Sequence, residues 1–134
     1  MAAGVWQFFE RTPSILIKGR VKKSTRAMVD NKEKRALVCK ACGHVITTDE
    51  ERISINGQHV YTRVNPGGIE YTFACFREAP GCRQAGVSSY EHTWFAGHSW
   101  QIAVCGGCGE HLGWRFRNGN VFYGLIEDRL TEKQ

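Results

Sequence analysis

Two cysteine pairs, Cys39-Lys40-Ala41-Cys42 and Cys105-Gly106-Gly107-Cys108, stand at the two ends of a long intervening stretch. A CxxC on a tight turn brings two thiolates within reach of one ion. Two such turns make a tetrahedral four-sulfur site suited to zinc. Gly43, Gly106, Gly107 and Gly109 supply the positive φ and open backbone N–H groups that such turns use around sulfur. Two disulfides are the alternative, but neighbouring CxxC thiols bridge poorly and nothing here points to an oxidising compartment. A thioredoxin-like redox pair would require a βαβ pattern, which is missing. Residues 43–104 lie between the pairs, far more than an ordinary zinc ribbon closes over, so the metal would pin the first strand to a late hairpin. A site with all four positions filled by sulfur is structural and contributes folding free energy. Cys75 and Cys82 remain, either as two buried thiols or as a disulfide across the turn at 76–81.

The rest of the chain is organised around short strands. Residues 51–55 and 58–64 alternate with period two, Asn65-Pro66-Gly67-Gly68 is a turn, and Ile69–Phe76 returns as a strand. Trp100, Ile102 and Val104 share one strand face, as do Trp114 and Phe116. Asn118-Gly119-Asn120 closes a hairpin, and a short helix is expected from Glu127. The expected class is therefore all-β and mainly antiparallel.

Residues 1–35 read as a basic, partly ordered arm with a short helix near 4–11, and residues 36–134 as the folded domain. The formal net charge of +5 suggests a nucleic-acid binder until it is divided. Residues 1–38 carry nine Lys/Arg against Glu10, Asp30 and Glu33, whereas residues 39–134 carry nine against ten acids. A near-neutral domain lacks the electrostatic footprint of nucleic-acid binding, so neither nucleic acid nor membrane is an expected partner. No apolar run reaches the ~18–20 residues that a bilayer span needs. Glu10 and Arg11 interrupt the place where a secretory signal would be apolar, so the expected location is cytoplasmic. The basic run at 11–28 leaves organelle targeting as the alternative.

Trp94, Trp100 and Trp114 crowd into a short stretch, the first two flanking the turn Phe95-Ala96-Gly97-His98-Ser99. A hairpin there would bring the first two rings face to face. Two readings stand, a tryptophan-rich core and an aromatic cage. A cage would take a quaternary ammonium by cation–π attraction with a nearby acid such as Glu91 or Glu110, or a flat neutral ring by stacking.

The run Glu91-His92-Thr93-Trp94-Phe95-Ala96-Gly97-His98-Ser99-Trp100, then Cys105-x-x-Cys108, then His111-Leu112-Gly113-Trp114-Arg115-Phe116, resembles the thalidomide-binding (CULT) domain of the cereblon family. Asn65-Pro66-x-Gly68 upstream and Phe122-Tyr123-Gly124-Leu125 downstream extend the match over roughly Val38 to Leu130. The ending through Leu130 is similar to single-domain bacterial members. The resemblance implies a β-tent of two antiparallel sheets pinned by one structural zinc on Cys39, Cys42, Cys105 and Cys108. It also implies a pocket walled by Trp94, Trp100 and Trp114 with Phe116 at its base. Asn65 and Pro66 would edge the mouth, and Tyr71 and Thr93 would occupy the rim. Backbone groups of His92 and Trp94 would pair with the imide of a glutarimide, succinimide or dihydrouracil-like ring, and Glu91 would complete the site.

A non-enzymatic binding module for such rings, possibly presented at protein C-termini, is the function implied. A methylammonium reader is the alternative. A B-type methionine sulfoxide reductase resembles the same order of motifs but needs a late nucleophilic cysteine, and none follows Cys108. The basic arm cannot supply a Lon-like domain or an adaptor-binding region, so no ubiquitin-ligase adaptor is expected.

Overall fold

A computed structural model describes residues 35–134. The expected arm, apart from Arg35, lies outside the described residues, as does its short helix. The described residues form nine strands and two 3₁₀ turns, with no α-helix among them. The expected all-β class of two antiparallel sheets is what the chain adopts.

The smaller sheet holds β1 (Ala36–Cys39), β2 (Val45–Thr48) and β9 (Leu130–Glu132) in the order β2-β1-β9. The larger holds β3 (Val60–Val64), β4 (Glu70–Phe76), β5 (Cys82–Ser89), β6 (Ser99–Cys105), β7 (His111–Asn118) and β8 (Asn120–Ile126), in the order β3-β4-β8-β7-β6-β5. A β5-to-β8 meander thus docks β8 against the β3–β4 hairpin, with Cys75 opposite Gly124. Arg35 immediately precedes the central strand β1, its guanidinium 3.0 Å from Glu132 and 3.7 Å from Asp49.

The central strands of the larger sheet pack a core on each face. On β4, Ala74 and Phe76 join Leu37, Cys39 and Ile46 of the smaller sheet in one core, together with Leu112 and Leu125. Phe73 and Cys75 point the other way, into an aromatic core with Tyr61, Phe95, Trp114, Phe116 and Phe122. Period-two alternation divides one strand between two cores, so the strand reads in sequence as an unbroken apolar run.

Gly81 and Gly124 are among the glycines that permit close approaches a Cβ would block. At Gly81 a Cβ would lie 2.0 Å from the Val45 carbonyl oxygen, and at Gly124 it would lie 2.6 Å from the Phe73 ring. The Gly81 N–H donates to Ile46 O at 2.9 Å while its carbonyl accepts from the Gly106 N–H at 2.8 Å, tying β2 to the second cysteine turn.

Two expectations fail locally. Residues 51–55 are not a strand: a 3₁₀ turn at Asp49–Glu51 leads into isolated bridges at Arg52 and Ile55. Asn56 and Gly57, both at positive φ (52° and 84°), then reverse the chain within two residues. Ile53 and Ile55 alternate because they cover the aromatic core from a loop. The helix expected from Glu127 is a single 3₁₀ turn, Glu127–Arg129.

Candidate functional site

The four paired cysteines converge. Their sulfurs all lie within 4.8 Å of one another. Cys39 Sγ is 3.8 Å from Cys108 Sγ, and Cys42 Sγ is 3.6 Å from Cys105 Sγ. A tetrahedron with Zn–S bonds of about 2.3 Å has edges of about 3.8 Å, so these four donors fit one zinc ion. The local fold already solvates sulfur: the Gly107 and Cys108 N–H groups point at Cys105 Sγ at 3.3 and 3.4 Å, and the His44 N–H points at Cys42 Sγ at 3.4 Å. Burial raises the Cys105 thiol pKa, but those two N–H groups and the neighbouring thiols outweigh it and bring it down to about 7. A cluster with one thiol ready to ionise suits a divalent, sulfur-seeking metal. Cys39 ends β1 while Cys105 ends β6, so an ion here would join the two sheets.

Cys75 and Cys82 are free thiols, which removes the disulfide alternative for them. Burial pushes each up to about 12. They belong to different cores, Cys75 among the aromatics and Cys82 against the inter-sheet cluster.

On the aromatic face a cavity of about 380 Å³ opens, within the size range of small-ligand pockets. Trp100 and Ile102 on β6 stand opposite Phe116 and Trp114 on β7, so two cross-strand pairs make one wall. Trp94 comes from the loop between β5 and β6, not from a hairpin strand. It meets Trp114 edge-on at 4.9 Å and 80° and stacks on Phe73 at 5.5 Å and 16°. The expected face-to-face packing of Trp94 with Trp100 is therefore replaced by Trp94 against Trp114, because Trp94 is held by Phe73 behind it. Phe73 in turn packs against Gly124, where a Cβ would come within 2.6 Å of its ring.

Asn65, Pro66, Tyr71, Glu91 and His92 complete the lining anticipated from the sequence. Asn65 shapes its own turn, its side-chain oxygen accepting from the Ile69 N–H at 2.9 Å. Thr93 is not in the lining. Its hydroxyl is turned into the loop, 3.3 Å from the Phe95 carbonyl oxygen, where it helps seat Trp94. Trp100 has its indole N–H satisfied by the Glu91 carbonyl at 2.7 Å, which fastens the loop to β6. His92, next along, holds φ at 58°, a left-handed conformation that costs a non-glycine residue free energy. Among the described residues, the His92 carbonyl and the Trp94 N–H have no hydrogen-bond partner. Glu110, considered as a cage acid, is exposed beside the cysteine turn and does not line the cavity.

Two lining residues were not anticipated. Ile102 was signalled by sharing a strand face with Trp100. His111 was not, because it is three residues from Trp114 and a regular strand would put the two on opposite faces. The register shift between Ala103↔Gly113 and Val104↔His111 leaves Leu112 as an extra residue, and this bulge returns His111 to the cavity side.

No family model matches the chain. It is similar to cereblon from Gallus gallus, with 37% identity over an alignment 106 residues long that covers 73% of this chain and 24% of that protein. Similarity to cereblon from Xenopus tropicalis is 36% over 106 residues, with the same two shares, 73% and 24%. For Danio rerio cereblon it is 33% over 84 residues, 60% of this chain and 19% of that protein. The chain thus spans about a quarter of the length of the first two relatives.

Proposed function

We propose that this cereblon CULT-like domain is a small-molecule binding module for a cyclic imide or uracil-like ring, free or carried at a protein C-terminus. The supporting observation is one cavity that combines three indoles with two unpaired backbone groups, the His92 carbonyl and the Trp94 N–H. A cyclic imide carries an N–H between two carbonyls. Its N–H would donate to His92 O and one carbonyl would accept from the Trp94 N–H. The ring's methylenes would lie against Trp94, Trp100 and Trp114, with Phe116 beneath. Enclosure by indoles excludes water, so each hydrogen bond is worth more than it is at an open surface. The four-cysteine cluster would hold one structural zinc and would take no part in binding.

Glu91 in the lining favours a second reading, a methylammonium held by cation–π attraction near that carboxylate. The sulfoxide-reductase reading has no comparable support: Cys75 and Cys82 do not line the cavity, and burial keeps both protonated.

Titration of intrinsic tryptophan fluorescence with glutarimide, N-methylglutarimide and trimethyllysine separates these cases. The imide reading expects glutarimide to bind with a Kd of about 1–10 µM, on the order of −7 to −8 kcal/mol. N-methylation leaves the His92 carbonyl desolvated and unpaired, at about 1–3 kcal/mol, and adds a clash. Equal affinity for glutarimide and its N-methyl analogue would overturn the imide reading, and preference for trimethyllysine would replace it with the cation cage.

A further inference from the structure

His111 is a polar lining group for which the imide ring itself provides no partner. Its ring stands edge-on to Trp114 at 5.1 Å and 87° and to Tyr71 at 6.0 Å and 76°. Its main-chain carbonyl accepts from the Arg129 guanidinium at 2.8 Å, and that guanidinium also lies 5.9 Å from the Tyr71 ring centre. The imidazole is therefore held from both its ring and its backbone. Nε2 is 3.1 Å from the Gly113 carbonyl oxygen. A carbonyl can only accept, so Nε2 carries the proton, and in the neutral ring Nδ1 carries a lone pair. Nδ1 has no partner among the described residues. Burial, followed by the Arg129 cation, keeps the imidazole below its ordinary pKa, against the opposing pull of the Gly113 carbonyl and Glu110. His111 lines the cavity, and its Nδ1 is an acceptor that glutarimide, with one N–H already directed to His92, leaves unpaired.

Resting on the imide reading above, we propose that His111 is a specificity-determining residue that favours rings with a second N–H, the dihydrouracil and uracil class, over glutarimide. Dihydrouracil and glutarimide differ by one N–H in place of one CH₂, so they have nearly the same shape and differ in a single donor. A site with a buried acceptor discriminates against the ring that lacks the matching donor, because the acceptor stays desolvated and unpaired.

The test is calorimetric titration of both rings into the full chain and into His111→Phe, which keeps a flat ring and removes the acceptor. The ratio of the two dissociation constants is expected to shift by roughly tenfold against dihydrouracil in the variant, the size of one hydrogen bond. An unchanged ratio overturns the assignment and leaves His111 as a wall only. Should His111→Phe fail to fold, 1-methyldihydrouracil on the unmodified chain gives the same comparison. It is expected to bind roughly tenfold more weakly than dihydrouracil, and equal binding overturns the proposal. Failure of both rings to bind the unmodified chain is a different outcome: it refutes the imide reading itself, and this assignment with it.

Discussion

Trp100 is the wall of the cavity that also fastens its loop, and Trp100→Phe separates those two roles. The substitution keeps an aromatic ring opposite Phe116 and deletes the 2.7 Å bond from the indole N–H to the Glu91 carbonyl. Glu91 is exposed, so its freed carbonyl is hydrated, and folding loses one net hydrogen bond, about 0.5–1.5 kcal/mol. The loop is affected more. His92 holds a left-handed φ of 58°, a strain on the order of 1–3 kcal/mol that the Trp100 bond helps to oppose. Without that bond the loop spends less time in the conformation that offers the His92 carbonyl and the Trp94 N–H, and apparent affinity falls by that lost fraction. The expected result is a roughly tenfold rise in the Kd for glutarimide, with a fall in Tm of about 3–8 °C. Calorimetric titration beside thermal denaturation reads both. Affinity within about twofold of the unmodified protein would refute the reasoning, since the loop would then hold itself. Trp114 is the wrong probe for this question. It is only 6% exposed and packs edge-on to four rings, so Trp114→Ala would cost about 3–5 kcal/mol of folding free energy and confound binding with stability.

Removing metal from the four-cysteine cluster should unfold the β domain, because an apparent zinc contribution of about 10–16 kcal/mol matches or exceeds the stability of a domain this size. Circular dichroism during titration with a strong chelator, with released zinc measured in parallel, checks this, and native spectra after complete release would contradict it. Gly124→Ala should destabilise by about 1–3 kcal/mol, since the new methyl meets Phe73 at 2.6 Å and Phe116 at 3.2 Å in a packed core, as denaturant unfolding will show. Burial lowers the His111 pKa in the folded state, so the unfolded chain binds its proton first as pH falls. Stability is therefore lost from about pH 6.5 downwards until the folded pKa is reached, and His111→Phe should flatten that part of the pH profile. Cys75 and Cys82, raised to about 12 by burial, contribute stability that is intact below about pH 9 and lost as pH rises towards 12. Both thiols should resist alkylation in the native protein while reacting readily in denaturant.

The parts of this protein that were legible in its sequence are those where a local pattern has one geometric outcome. A CxxC turn confines its two sulfurs whatever surrounds it, so the cluster of Cys39, Cys42, Cys105 and Cys108 could be anticipated across the whole domain. Trp114 and Phe116 alternate on one strand, and strand geometry alone puts them on one face. The failures come from positions where a tertiary contact redirects the chain. Ile53 and Ile55 alternate like a strand, yet Asn56-Gly57 reverses the backbone before any ladder forms, and their apolar spacing serves a loop that covers the core. Trp94 and Thr93 are neighbours in the resemblance, but the threonine hydroxyl closes the loop on its own backbone and only the indole reaches the cavity. His111 shows the limit most clearly. Its place in the lining depends on one extra residue, Leu112, that shifts β7 against β6, and neither periodicity nor motif order reveals a bulge. Leu112 itself turns to the inter-sheet core while Trp114 and Phe116 face the aromatic one. The same single-residue shift therefore seals one core and delivers an imidazole to the other face, so deleting Leu112 should break the inter-sheet packing and remove His111 from the cavity together.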